Sequence, residues 1–137
     1  MQIDDIKALL VSRKSAERLR AAKRISKEKI TELAADLFVA YEKERQDPRT
    51  WEPQSEMIKG LGVLDYKPAL DIITTIVQQN IPHDMITINA AIAFVQLKRQ
   101  SIFDAEPVLE LLSFGSTSVI CGALEALAVD KMLPSAQ

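Results

Sequence analysis

Few side chains in this chain could carry out chemistry, and their spacing limits what each can do. The one histidine, His83, precedes Asp84, and a His–Asp couple can act as a general base. It follows Pro82 in the turn Asn80-Ile81-Pro82-His83-Asp84, with no nucleophile near it in sequence. N-capping by Asp84 explains the pair more simply, because Asp accepts from the free N–H groups of a first helical turn. The one cysteine, Cys121, lies in Val119-Ile120-Cys121-Gly122-Ala123-Leu124, an apolar helical stretch whose nearest basic residue in sequence is Lys131. A thiol there is expected to be buried and inert. One Cys and one His, with no His-x-x-x-His or Asp-x-Asp spacing, do not make a metal-ligand set. No Gly-rich phosphate loop occurs either. Asp65, Asp71, Asp104 and Glu106 fall at turns and helix starts, where capping explains them better than paired acid chemistry. No catalytic residue, metal ligand or cofactor is expected.

Trp51 is the single Trp and stands in Arg49-Thr50-Trp51-Glu52-Pro53-Gln54, at the head of a helix. Beside Arg it has the chemistry of an interface anchor. Packed over the end of the preceding helix near Tyr41, it would be a core residue, since Trp is highly buried on average. Both readings stand at this level.

The elements that must position these residues are helical. Of the 137 residues, 47 % are apolar, 26 % charged and 5 % aromatic, and only 4 are Gly, a composition of helices rather than of sandwiches or barrels. The length suits one domain, residues 1–137, with a sizeable core. The longest apolar run is Ala90–Val95, far short of the roughly 20 residues a membrane span needs. The start, Met1-Gln2-Ile3-Asp4-Asp5, lacks the pattern of a signal peptide, and a lone Cys fits a reducing compartment. A cytoplasmic protein without a membrane role is expected. The net charge of −2 hides a polarity: residues 1–29 carry nine basic and four acidic side chains, while residues 30–137 carry eight and fifteen. Such polarity can steer a charged partner to one end.

Apolar periodicity predicts about eight helices. The first starts at Asp4 or Asp5 with Ile6, Leu9 and Leu10 inward. The second starts near Ser15 with Ala16, Leu19, Ala22 and Ile25 inward. The third runs from about Lys27 to Arg45, burying Ile30, Leu33, Ala34, Leu37, Phe38 and Tyr41. Pro48 breaks the chain; Thr50 or Asp47 can cap the fourth helix, which carries Met57, Ile58, Leu61 and Leu64. The fifth spans Ala69 to Gln79, despite the β-rich run Ile72 to Val77. The sixth, Met85 to Arg99, is apolar nearly all round at its centre and should be central. A short seventh begins at Pro107 and ends near Ser113. The eighth, Ser118 to Val129, is capped by Ser116 or Thr117, and order ends at Lys131 to Pro134.

A motif recurs through these helices every 32 to 36 residues: Leu19–Ile25, Ser55–Leu61, Ile88–Phe94 and Ile120–Ala126. Ala22, Ile58, Ala91 and Ala123 mark its packed stripe, and Gly60 and Gly62 are expected to let the next helix approach closely. Lys67-Pro68-Ala69-Leu70 is matched by Glu106-Pro107-Val108-Leu109 at the heads of alternate helices. A period of this length means stacked helical hairpins. The pattern resembles the HEAT and armadillo-like α-solenoids across roughly residues 4–130, with a variable loop length and a basic second-helix residue in the first copy alone.

The resemblance implies an all-α fold, a short α-solenoid (an α-α superhelix) of about four antiparallel helical hairpins, and carries no catalytic residue over. In that class the second helix of each pair lines the inner face. Arg20, Lys23, Arg24, Trp51, Glu52, Glu56, Asn89 and Gln96 are then the candidate partner-binding residues. The function this implies is non-enzymatic binding of a partner protein by a monomer or weak homodimer. One alternative is an immunity protein that neutralises a cognate toxin, with the acidic body mimicking nucleic acid. Others are a HEAT-like lyase or DNA glycosylase, or nucleic-acid binding by the basic N-terminal helices. The latter is disfavoured because the basic residues are confined to about a fifth of the chain. An apolar last helix, with Leu124, Leu127 and Val129, could instead leave an uncapped end for self-association.

Overall fold

Helix-favouring residues with a 3.6-residue apolar period dominate the chain, and helices form wherever the caps allow. The computed structural model describes residues 2–101 and 103–129. Eight helices, and no strand, occur among the described residues: α1 (Ile3–Leu10), α2 (Ser15–Glu28), α3 (Ala34–Glu44), α4 (Trp51–Val63), α5 (Leu70–Gln79), α6 (Met85–Lys98), α7 (Glu106–Phe114) and α8 (Thr117–Val129). Short 3-10 turns, Thr31–Leu33 and Lys67–Ala69, lead into α3 and α5. The β-rich run Ile72 to Val77 lies inside α5. The expected end of order at Lys131 to Pro134 lies outside the described residues.

α2, α4, α6 and α8 pack side by side in that order, and each is backed by the helix that precedes it, α1, α3, α5 or α7. The close approaches that join them fall on glycines. A Cβ at Gly60 would lie 2.9 Å from Ser26 Oγ of α2 and 2.7 Å from Leu37 of α3. One at Gly62 would lie 2.8 Å from Ala93 Cα of α6, and one at Gly122 of α8 would lie 2.5 Å from both Ala91 Cβ and Ile88 O of α6. The contacts between even-numbered helices pair residues 31 to 34 apart, close to the sequence period. α6 and α8 run in the same direction, since Asp84 meets Ser118 at one level and Ile88 and Ala91 meet Gly122 at the next. Gly62 meets the next even-numbered helix, as expected of both glycines; Gly60 instead meets the two helices before it. Ala22, Ile58, Ala91 and Ala123 are all fully buried, and α6 sits in the middle, touching α4, α5, α7 and α8.

Three expectations are corrected by the helix ends and phases. The helix expected to begin at Lys27 begins at Ala34, because α2 ends at Lys29 in the left-handed region (φ 51°), with Ile30 N donating to Ile25 O at 3.1 Å. This is a Schellman closure built on Lys where Gly is usual. α2 buries Ala21, Ala22, Ile25 and Ser26, leaving Ala16 exposed and Leu19 half-exposed rather than inward. Cys121 is exposed, not buried, because α8 turns Val119, Gly122, Ala123 and Ala126 into the core instead.

The turns are pinned by side chains. Asp84 caps α6, as expected, accepting from Thr87 N at 3.0 Å and from Thr87 Oγ1 at 2.6 Å. Ser116 N donates to Asn80 Oδ1 at 2.6 Å, and Asp84 N donates to Ser118 Oγ at 2.8 Å, tying the start of α8 to the α5–α6 turn. Before α4, neither Thr50 nor Asp47 caps with its side chain. Thr50 Oγ1 and Gln54 Nε2 both donate to Asp47 O, at 3.1 and 2.8 Å, and brace the turn instead.

Candidate functional site

The even-numbered helices bury one side against each other and against the helices behind them, which leaves a free side on α2, α4 and α8 and on the N-terminal turns of α6. The free side of α2 carries Ala16, Leu19, Arg20, Lys23, Arg24 and Lys27, which together form a shallow depression of about 420 Å³. These residues follow the i, i+3, i+4, i+7 spacing of a single helical face. Arg24 pairs with Glu28 on the same helix. Among the described residues, Arg20, Lys23 and Lys27 have no carboxylate within ion-pair distance. On α4 the free side carries Glu52, Glu56 and Lys59. On α6 it carries Met85 and Asn89, and on α8 Cys121, Leu124 and Glu125.

The free positions repeat with the same period as the buried ones. Lys23, Glu56, Asn89 and Cys121 are separated by 33, 33 and 32 residues, matching the register of the close helix contacts. They therefore lie level with one another and form a row across the four helices. Arg20, Glu52, Met85 and Thr117, all exposed, form a second row one turn earlier. The face is graded: cationic on α2, anionic at Glu52 and Glu56, then uncharged on α6 and partly apolar on α8.

The eight candidate contact residues divide on this face. Arg20, Lys23, Arg24 and Glu52 are exposed, and Glu56 and Asn89 are half-buried within the rows. Trp51 is 50 % exposed at the first residue of α4, so it is not sealed over Tyr41. Gln96 is corrected: it is only 8 % exposed, and its Oε1 lies over Gly62 in the seam between α4 and α6. The absent Cβ at Gly62 leaves the room that draws Gln96 inward.

A larger concavity, about 590 Å³, lies on the opposite side between α1 and α3, with Ala8, Val11, Val39 and Ala40 on its walls. Its polar floor is an ion pair that residue spacing did not reveal. Arg18 Nε donates to Glu44 Oε1 at 2.6 Å and Nη2 to Oε2 at 3.1 Å, while Nη1 donates to Ser12 O at 2.8 Å. Glu44 is buried, its side chain 3 % exposed. The hydrogen bond to Glu44 raises the Arg18 pKa; burial opposes that, and the charges of Glu44 and Asp47 add to it. The bidentate fork joins two residues 26 apart, on α2 and α3, and engages both Glu44 oxygens. The Lys7–Asp36 pair, 3.7 Å apart, spans the rim.

In the larger concavity the Ser12 hydroxyl donates to the Glu17 carboxylate, and among the described residues no histidine or cysteine lines either concavity. His83 is exposed in its turn at φ 55°, and the Asp84 carboxylate is engaged with Thr87. Among the described residues, no three His, Cys, Asp or Glu gather as metal ligands, and no helix is long and apolar enough to cross a membrane. The chain matches no family model, no curated protein and no solved structure.

Proposed function

We propose that this chain is a non-enzymatic protein-interaction module, a short HEAT-like α-solenoid that binds a partner protein through the free face of α2, α4, α6 and α8. One observation carries the reading: exposed and half-buried residues recur at the same spacing as the buried contacts, so the repeat organises a surface as well as a core. Repeated helices that place a side chain on each successive unit offer a long, shallow surface suited to a polypeptide rather than to a small substrate. Arg20 on α2 and the half-exposed Trp51 at the head of α4 supply Arg and Trp, two of the residue types that most often dominate interface energies.

The test is capture from the native source with the full chain as bait. A saturable complex with one protein is expected, lost in Trp51→Ala and in the double reversal Arg20→Glu, Arg24→Glu. It should survive Val39→Asp, which alters the α1–α3 groove on the other side. Loss in Val39→Asp with retention in the other two variants would move the site to that groove and overturn the reading.

A further inference from the structure

We infer that the occupant of this face is an extended polyproline-II segment that crosses the four even-numbered helices, presenting a carboxylate to α2, a cation to α4 and an apolar side chain to α8. The inference rests on the proposed interaction face and specifies what that face selects.

The row Lys23, Glu56, Asn89, Cys121 places one side chain on each helix in turn. Neighbouring packed helices lie about 8–10 Å apart. A polyproline-II strand rises about 3.1 Å per residue and returns to the same side every third residue, so its side chains recur at about 9 Å. The two periods match: residues i, i+3, i+6 and i+9 of such a segment fall over α2, α4, α6 and α8. Over α2 the segment meets Lys23, with Arg20 one turn earlier, and among the described residues neither cation has a carboxylate partner. Over α4 it meets Glu56, over α6 the neutral Asn89, and over α8 the region of Cys121 and Leu124, the latter 51 % exposed.

Complementary charge steers binding and penalises the wrong order, because like charges brought together cost free energy. A preformed polyproline-II segment also gives up little conformational freedom on docking. Nucleic acid fits less well, since Glu52 and Glu56 would face the phosphates on the helix next to the cations.

The test uses two labelled decapeptides of identical composition. The first is Glu-Pro-Pro-Arg-Pro-Pro-Ala-Pro-Pro-Leu; the second exchanges its Glu and Arg. Because Leu is fixed at one end, reversing the direction of binding cannot restore the order. Fluorescence anisotropy with the full chain at low salt should show the first peptide binding at least tenfold tighter. The double exchange Lys23→Glu, Glu56→Lys should invert that preference, and circular dichroism should show unchanged helix content. Equal binding of the two peptides, binding of neither, a preference that survives the exchange, or stronger competition by duplex DNA would each overturn the inference. The two failures are separable. If the natural partner is lost in Trp51→Ala but indifferent to the Lys23/Glu56 exchange, the charge order fails and the interaction face stands. If capture ignores both, the face itself is wrong.

Discussion

Replacing Gly122 by Ala sets two effects of opposite sign against each other. In an exposed helix interior, Gly→Ala stabilises by about 1 kcal/mol through backbone propensity. Here the new Cβ would sit 2.5 Å from Ala91 Cβ and 2.5 Å from the carbonyl oxygen of Ile88. Neither atom can swing aside, because one is a side chain of a single carbon and the other is helix backbone in the first turn of α6. Forcing α8 away from α6 costs at the upper end of the overpacking range, about 3 kcal/mol. The net expectation is a loss of about 2 kcal/mol. For a chain of this length that is roughly 6–8 °C in Tm, at about 3–4 °C per kcal/mol. Urea and thermal unfolding followed by circular dichroism measure it. Lys59→Gly, on the exposed side of α4, isolates the propensity effect and should cost about 1 kcal/mol. A Gly122→Ala variant with a raised Tm would refute the close contact of α8 with α6, and with it the register on which the surface rows depend.

Other outcomes follow from single contacts. Asp84→Ala removes the α6 cap and leaves the buried Thr87 hydroxyl without its acceptor, so it should cost about 2 kcal/mol in urea unfolding. Glu44→Ala strands the Arg18 charge, which is partly solvated at 21 % exposure, and should cost about 2–3 kcal/mol; Arg18→Met in the same chain should recover part of that loss. Burial pushes the Tyr41 phenol up to about 12 from an ordinary value of 10. The unfolded chain therefore ionises first: stability is complete below pH 10 and falls by about 2–3 kcal/mol as the pH rises towards 12. Tyr41→Phe should flatten that part of the stability–pH curve. Trp51→Ala should change stability by less than about 1 kcal/mol while abolishing partner capture.

Much of this structure was legible in residue spacing. The period of 32 to 36 residues located the helices in contact, because stacked units must bring equivalent residues together. Asp84 was readable as a cap because a carboxylate before an apolar helix has few other uses. The errors share a physical origin. α2, α4 and α5 end near Lys29, Asp65 and Asn80, all at positive φ, while no glycine has positive φ. The four glycines serve helix packing and a turn, so the usual Gly signal for a helix end was missing and the α2–α3 boundary slipped by several residues. Phase was the second difficulty. Helices flanked on several sides bury more than one stripe, and an apolar count cannot say which small residue faces in. Leu19, Cys121 and Gln96 were misplaced for that reason. The Arg18–Glu44 pair was invisible because its partners are 26 residues apart, at no helical spacing.

The interaction face is tested most directly by hydrogen exchange on the captured complex, compared peptide by peptide with the free chain. Slowed exchange confined to α2, α4 and α6 and reaching into α8, with α1 and α3 unchanged, is the predicted result. Protection concentrated on α1 and α3, with the even-numbered helices exchanging as they do in the free chain, would contradict it.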